Sequence, residues 1–558
     1  MVRATFSGFN TALSALQANQ KRLDITGQNL SNMNTAGYTR QQLEASSLNY
    51  TNPVSHYSNG NETAVGFGVS MDRVSQIRDP YLDIQYRSQS ADCSYTNRLQ
   101  TALNSLSKVL DETTISGIRQ AFDDIQSTLT SMQDPAKVSD PIYESELRTK
   151  MQSVCNLFNQ ASRQITQAEQ NEFQRLTGEG SSEQGDVQKI NDILRQIGDL
   201  NVQIKRNQVA GHPSLELQDE RNLLLDELSG YIPVETRYYK DDAHSGNNAY
   251  DYDANGAVIG KKDWPDDLEV SMNYIDAQGK SQKLILVNGS DLGADGLTKN
   301  YGQLSVLKGD HQTAASVSDP ANISIKFEKA PSYQGNGQVA ADVYAELKGI
   351  HFEGGSLQAS LDMLQKTGTG NVINGSTAVD DVRGYQYYSG KLDQLASTFA
   401  KSMNDINNKG KNPKDQNLLS NSTDDSTTGI TAGNIGISKG WTSGTIHIST
   451  DGTNRTDTIL DMIAAMKDTK KLNGKTFADY MNNLSTQLAS DSSSNQTALK
   501  TGTTVLNSIQ DSRDSLSGVS LDEEATNMMA YVSAYNAASR LMTALDEVLN
   551  TLISNTGA

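Results

Sequence analysis

Leu521-Asp-Glu-Glu-Ala-Thr-Asn-Met-Met-Ala-Tyr-Val-Ser-Ala-Tyr-Asn-Ala-Ala-Ser-Arg-Leu-Met-Thr-Ala-Leu-Asp-Glu-Val-Leu-Asn-Thr-Leu-Ile553 decides the fold class. Leu521, Met528, Tyr535, Met542 and Leu549 recur every seven residues, and three positions on run Glu524, Tyr531, Ala538, Leu545 and Leu552. That is a heptad seam, the pattern of a helix that buries one narrow stripe against another helix. Ser520 is placed to cap it, Glu523 stands at the capping-box position, and Asp522, Glu523 and Glu524 favour the positive end of the helix dipole. The other end of the chain carries a matching stripe. Phe9, Leu16, Leu23 and Leu30 recur at seven-residue spacing with Leu13 beside them, while Gly27 weakens the helix by about 1 kcal/mol. Two terminal stripes fit helices that fold back on their own chain, and equally helices that pack on each other and on neighbouring copies.

Between the ends the composition changes character. Residues 80 to 228 read as helical, with Leu99, Leu103, Leu106 and Leu110 on one face and Asp134-Pro135, Asp140-Pro141 and His212-Pro213 between helical runs. Leu268 to Met272 and Lys283 to Val287 read as strands bounded by Gly279, Asn288-Gly289 and Gly293. Tyr388, Leu392, Leu395, Phe399 and Met403 restore a helical stripe; residues 410 to 440 are polar and rich in Gly, Ser, Thr and Asp, and Gly444 to Thr450 alternates as a short strand. The reading is an α+β multidomain chain, with helical bundle or coiled-coil domains built from both termini and a β-rich domain inserted in the middle. Residues 1–75 with 510–558 form the terminal assembly domain, and 76–234 with 345–410 and 470–509 a helical domain. Residues 235–344 form a projecting β-rich domain, and 411–469 a surface insert with short strands and one helix.

Composition excludes several functions. The 558 residues carry 47 Lys and Arg against 66 Asp and Glu, a net charge of −19, which disfavours nucleic acid and anionic membrane surfaces as partners. Two cysteines, Cys93 and Cys155, exclude a disulfide scaffold and a CxxC zinc module. Neither an apolar run long enough to span a membrane nor a cleavable signal is present. The six histidines stand singly, so no HExxH or paired-His zinc site exists, and phosphate-loop, dinucleotide and nucleophile-elbow motifs are missing. Asp251, Asp253, Asn255 and Gly256 begin like a calcium loop, but the twelfth position is Lys262 where a bidentate carboxylate is needed, so the segment reads as an ordinary turn. Asp241 and Asp242 are paired carboxylates attached to no catalytic pattern. No catalytic residue, cofactor or metal ligand is expected.

The termini resemble a known family. Ala12 to Gln20 followed by Leu23-Asp-Ile-Thr-Gly-Gln-Asn-Leu-Ser-Asn-Met-Asn-Thr-Ala-Gly-Tyr-Thr-Arg40 resembles the N-terminal signature of flagellar rod, hook and hook-associated axial proteins. Ser517-Gly-Val-Ser-Leu-Asp-Glu-Glu-Ala-Thr-Asn527 with Tyr535 to Met542, Asp79 to Arg87, and Leu217 to Leu228 are similar to the hook-associated members. The resemblance implies a non-enzymatic, self-assembling component of the bacterial flagellum, a ring of like subunits joining hook to filament through its terminal helices. It further implies type III export to the extracellular flagellum, and as partners the hook protein, a second junction protein or flagellin, and a cytoplasmic chaperone on the C-terminal helix. Another rod or hook role, or an adhesive module on the β-rich part, are the alternative readings. Carried over as motif residues are Asn29, Asn32, Asn34, Gly37, Tyr38, Gly518, Asp522, Glu523 and Glu524; the expected seams are Phe9, Leu13, Leu16, Leu23 and Leu30 with Leu521, Met528, Tyr531, Tyr535, Met542, Leu545, Leu549 and Leu552.

Overall fold

The computed structural model describes residues 7–48, 68–110, 117–210, 212–240, 250–252, 258–261, 266–275, 280–289, 299–310, 313–328, 352–368, 382–409, 416–451 and 453–556. The chain begins with α1 (Ser7–Ser31), the antiparallel hairpin β1 (Gln41–Ser47) and β2 (Val69–Gln76), and α2 (Pro80–Leu110). Helices α3 (Ile118–Ser131), α4 (Pro135–Val138), α5 (Pro141–Thr177), α6 (Asp186–Val209) and α7 (Leu215–Tyr231) follow. The prolines open helices rather than merely breaking them: Asp134 and Asp140 accept from the backbone N–H of Ala136 and Ile142, with Pro135 and Pro141 filling the first helical position, where no N–H is needed.

The strand unit comprises β3 (Glu235–Lys240), β4 (Tyr250–Tyr252), β5 (Val258–Lys261), β6 (Asp266–Ile275), β7 (Ser281–Asn288), β8 (Gln303–Lys308) and β9 (Ile323–Glu328). Antiparallel pairing gives the order β3-β6-β7, with β4-β5 and β8-β9 as separate pairs. Buried Leu268, Val270 and Met272 alternate along β6, which directs them to one face. The unit expected to project is packed on α6. Asn201 on α6 donates to the carbonyls of Leu268 and Gly289, Asn191 exchanges two hydrogen bonds with the Leu304 backbone, and Asn300 donates to Gly198 of α6. The sheet side chains therefore share a core with α6 instead of standing clear of it.

The remainder is α8 (Gly355–Gln365), α9 (Tyr385–Asn407), β10 (Leu419–Asn421), β11 (Ile435–Ile437), α10 (Lys439–Ser443), α11 (Asp457–Met466), α12 (Phe477–Ser517) and α13 (Leu521–Thr556). At the core centre Phe122 meets the rings of Phe158, Phe399 and Phe477 at 6.0, 5.2 and 5.6 Å. The stripe Tyr388, Leu392, Leu395, Phe399, Met403 on α9 is fully buried here. Residues 416–451 are not a surface excursion: Trp441 is fully buried, its indole N–H donating to Glu144 and its carbonyl accepting from Arg148 on α5. The short strand expected at 444–450 is also absent, because its backbone is held by side chains. Asn407 bonds both the His447 carbonyl and the Ser449 N–H. One hydrophobic core thus joins the helical part, the sheet and the 416–466 region. Among the described residues, none of α1, β1, β2 or α13 belongs to it.

The long α2 and α12 run antiparallel and connect this body to the terminal unit. Gln100 lies beside Ser492 and Asn495, Cys93 beside Gly502, and Tyr86 beside Arg513. Covered residues of α12 recur at three- and four-residue spacing through Leu488, Ser492, Asn495, Leu499, Gly502 and Leu506. This is a two-helix seam whose polar members fix its register.

Candidate assembly interface and its anchoring join

The terminal unit is built on α1 and α13, packed antiparallel. Gly8 faces Leu545, the Arg22 guanidinium lies 5.6 Å from the Tyr531 ring, and Asn29 reaches Glu524 at 3.4 Å, so the pairing keeps one register over most of α1. On α13 the side facing α1 carries Met528, Tyr531, Tyr535, Met542, Leu545 and Leu549, all partly covered, with Glu524 and Ala538 buried. Leu521 and Leu552, each 51% exposed, lie outside that cover. On α1 the buried residues are Ala12, Ala18, Asn19, Ile25, Thr26 and Asn29. The row Phe9, Leu16, Leu23, Leu30 is only partly covered on the neighbouring side of the helix, and Leu13 is 46% exposed. At Gly8 the absence of a side chain lets Leu545 approach the α1 backbone, a complementarity that a count of large apolar residues misses. Met529, Val532, Leu541, Val548 and Ile553 add further exposed apolar surface on α13.

At its inner end this pair meets α2, α7 and α12 in a dense polar join. After α1 the chain turns; the Asn32 side chain donates to the Gln28 carbonyl, and Gly37 adopts φ +78, a left-handed conformation that glycine reaches without strain, beside Leu223. Asn34 is exposed. The turn delivers Tyr38 to Gln41 onto Asn29, which is 1% exposed. Its amide nitrogen donates to the Gln41 carbonyl (3.0 Å) and to Glu524; its oxygen accepts from the Tyr38 hydroxyl (2.9 Å) and the Gln41 N–H (3.0 Å). Both amide protons and both lone pairs are used. Burial, reinforced by Asp219, Glu216 and Glu524, raises the Tyr38 pKa, so its hydroxyl stays a donor.

Arg40 ties the two ends of the chain together. Its guanidinium pairs with Glu524 (2.8 Å) and Glu523 (2.9 Å), and its N–H donates to the Ser517 carbonyl. Glu524 is 2% exposed, while Asp522 stays in solvent on the first turn. Ser520 caps α13 through the Glu523 N–H at 3.5 Å; the Glu523 carboxylate serves Arg40. Behind this, Thr39 N–H donates to Asp219 on α7; Arg78 pairs with Asp83; and Arg513 bridges Asp83 (3.1 Å) and Asp226 (2.7 Å) while stacking on Tyr86 at 4.2 Å. Arg87 completes the set on Asp226. These partly buried, multiply bonded pairs fix geometry better than isolated surface pairs do.

Gly518 lies between α12 and α13 where a Cβ would come within 2.4 Å of the Asp514 carbonyl oxygen. Gly518→Ala is therefore expected to destabilise the docking of the terminal unit by about 1–3 kcal/mol, measured as earlier thermal release of α13 by hydrogen exchange.

Of the singled-out chemical candidates, Asp251 lies in β4; Asp241, Asp242, Asp253, Asn255, Gly256, Lys262, His56, His244, His311 and His351 lie outside the described residues. Among the described residues no cluster of His, Cys, Asp or Glu could hold a metal ion, and no helix is long and apolar enough to cross a membrane. Cys93 and Cys155 are buried free thiols, Cys155 pushed up to about 12 by burial.

The quoted N-terminal, Asp79 to Arg87, Leu217 to Leu228 and C-terminal segments all converge on this one join. What spacing alone did not mark is its charged half, namely Arg40, Arg78, Asp83, Arg87, Asp219, Asp226 and Arg513. They are ordinary charges on amphipathic elements or beside them, and apart from Arg78 with Asp83 their partners are distant in sequence.

Comparison with known proteins agrees with that geometry. Residues 9–39 match the family described as flagella basal body rod protein, and 512–555 match flagellar basal body rod FlgEFG protein C-terminal, the two segments that form the terminal pair. Residues 103–259 match the flagellar hook-associated protein FlgK helical domain. Flagellar hook-associated protein 1 of Bacillus subtilis is 28% identical across 99% of both chains. That of Salmonella typhimurium is 29% identical over 40% of this chain and 38% of its own length. The flagellar hook junction protein FlgK from Burkholderia pseudomallei aligns with a TM-score of 0.38 at 19% identity, covering 61% of this chain and 46% of that one. Matches at both ends and in the helical body are those of a structural axial component of the bacterial flagellum. Within that class, the chain is similar along its whole length to flagellar hook-associated protein 1.

Proposed function

We propose that this chain forms the ring of subunits that joins the hook to the flagellin filament, and that its α1–α13 pair is the assembly surface. The observation that carries the reading is the exposed apolar surface of a pair that lies outside the body's core: Leu13 on α1, and Met529, Val532, Leu541, Val548 and Ile553 on α13. An exposed apolar surface of that extent gains by association, and like helices from neighbouring copies have the shape to cover it. Terminal helices that are marginal alone and complete their packing on stacking also fit a subunit exported through the type III channel and assembled outside the cell. A cytoplasmic chaperone on α13 would mask the same stripe before export, and the hook protein, with a second junction protein or flagellin, would contact the ring on its two sides.

The test is complementation of a strain lacking the gene with a Leu541→Gln, Val548→Gln, Ile553→Gln chain. Complete hooks without filaments, flagellin lost to the medium and an unchanged melting temperature of the body are expected. Normal filaments would overturn the reading, and missing hooks would move the chain to rod or hook.

A further inference from the structure

Among the described residues of the join, Asp219 is a buried carboxylate left partly unsatisfied. Asp219 on α7 is 6% exposed. Its Oδ2 accepts the Thr39 N–H at 3.1 Å, but its Oδ1, also buried, has no hydrogen-bond partner. The groups facing it make no compensating set. From the segment before α2, Arg78 stands 4.0 Å away and is already committed to Asp83. From its own helix comes the like charge of Glu216, which holds Gln41. From the turn after α1 come Thr39 and the protonated Tyr38, with Glu524 of α13 beyond Tyr38 and Arg40 occupied by Glu523 and Glu524. A carboxylate this buried costs free energy in the charged form unless paired and fully hydrogen-bonded. Thr39, its partner, leads directly into β1, so the same bond attaches the terminal unit to the body.

We propose that Asp219 makes this join a proton-operated clasp, tightened when the carboxyl is neutral and loosened when it is ionised, so that the hold of the helical body on the terminal pair depends on pH. Burial pushes Asp219 up to about 6 from 3.8, outweighing the hydrogen bonds from Thr39 and the charge of Arg78 that act the other way. The sign follows from linkage. A carboxyl whose value is raised in the closed state binds its proton more tightly there, so closing gains as pH falls through about 6 and the gain is complete near the open-state value. Between pH 7.5 and pH 5 the clasp should open about tenfold less often. The inference concerns how the terminal pair is held, and does not rest on the ring.

The test is hydrogen exchange of the full chain, followed on peptides covering residues 38–47 and corrected for the intrinsic pH dependence of exchange. The wild type should show the opening constant falling about tenfold from pH 7.5 to 5, while peptides of α9 show no such change. Asp219→Asn, neutral at every pH, should lose the dependence and be protected at pH 7.5 as the wild type is at pH 5. A wild type without the change, or an Asn variant that keeps it, would overturn the clasp. If the Asn variant does not fold, Glu216→Gln decides: removing the like charge should move the midpoint to lower pH, and an unmoved midpoint rejects the proposal.

Discussion

Asn29→Leu is expected to release the terminal pair while the helical body stays folded. The leucine has a similar size but none of the four hydrogen bonds, so the Gln41 N–H, the Gln41 carbonyl and the Tyr38 hydroxyl lose their partner in a buried setting. Each stranded group costs about 1–3 kcal/mol, and since the three share one site the sum is not additive; roughly 3–5 kcal/mol is expected. Glu524 also loses a donor, though Arg40 still holds it. Because α1 and α13 lie outside the common core, the loss falls on their docking. Calorimetry should show a low-temperature transition separated from an unshifted main one, with protease cleavage appearing first between residues 31 and 41. A single transition that moves as a whole would show that the terminal unit and the body unfold together.

Phe122→Ala acts on the other unit. Phe122 is 1% exposed and touches the rings of Phe158, Phe399 and Phe477, which come from α5, α9 and α12. Its removal takes away the centre of a cluster gathered from distant parts of the sequence, and the long helices around it collapse only partly into the space. A loss of about 3–5 kcal/mol is expected, read as a lower denaturation midpoint of the body. In the double variant with Asn29→Leu, the two losses should add, because the sites share no partner.

Much of this architecture was legible in the sequence, for reasons visible in particular elements. The α13 stripe is visible in the sequence because large apolar and aromatic residues recur at one period over a long helix, and Met528, Tyr531, Tyr535, Met542, Leu545 and Leu549 are partly covered in the structure. The α9 stripe was legible in the same way. On α1 the small residue Gly8 faces Leu545 while Ala12 and Ala18 are buried, and residues of so little bulk do not stand out in a search for large apolar side chains. Residues 416–451 look like loop by composition and are pinned by Trp441 and by Asn404 and Asn407, which bond the backbone in place of a neighbouring strand. The join shows the same limit more sharply. Asn29, Tyr38 and Glu524 are marked by resemblance, but Asp219, Asp226 and Arg513 acquire meaning only when folding brings residues 180 and 287 positions apart to 3.1 and 2.7 Å.

The antiparallel register of α1 and α13 has a mechanical consequence. Both helices leave the join together and run outward side by side, so their outer ends lie at the same tip. A force drawn on either outer end alone peels the pair apart a turn at a time, with only the outermost contacts resisting. A force applied broadly along the flank is shared by every turn at once and delivered to the body through Arg40, Arg78, Arg87 and Arg513. The pair is thus weak to unzipping from its tip and strong to load spread along its flank.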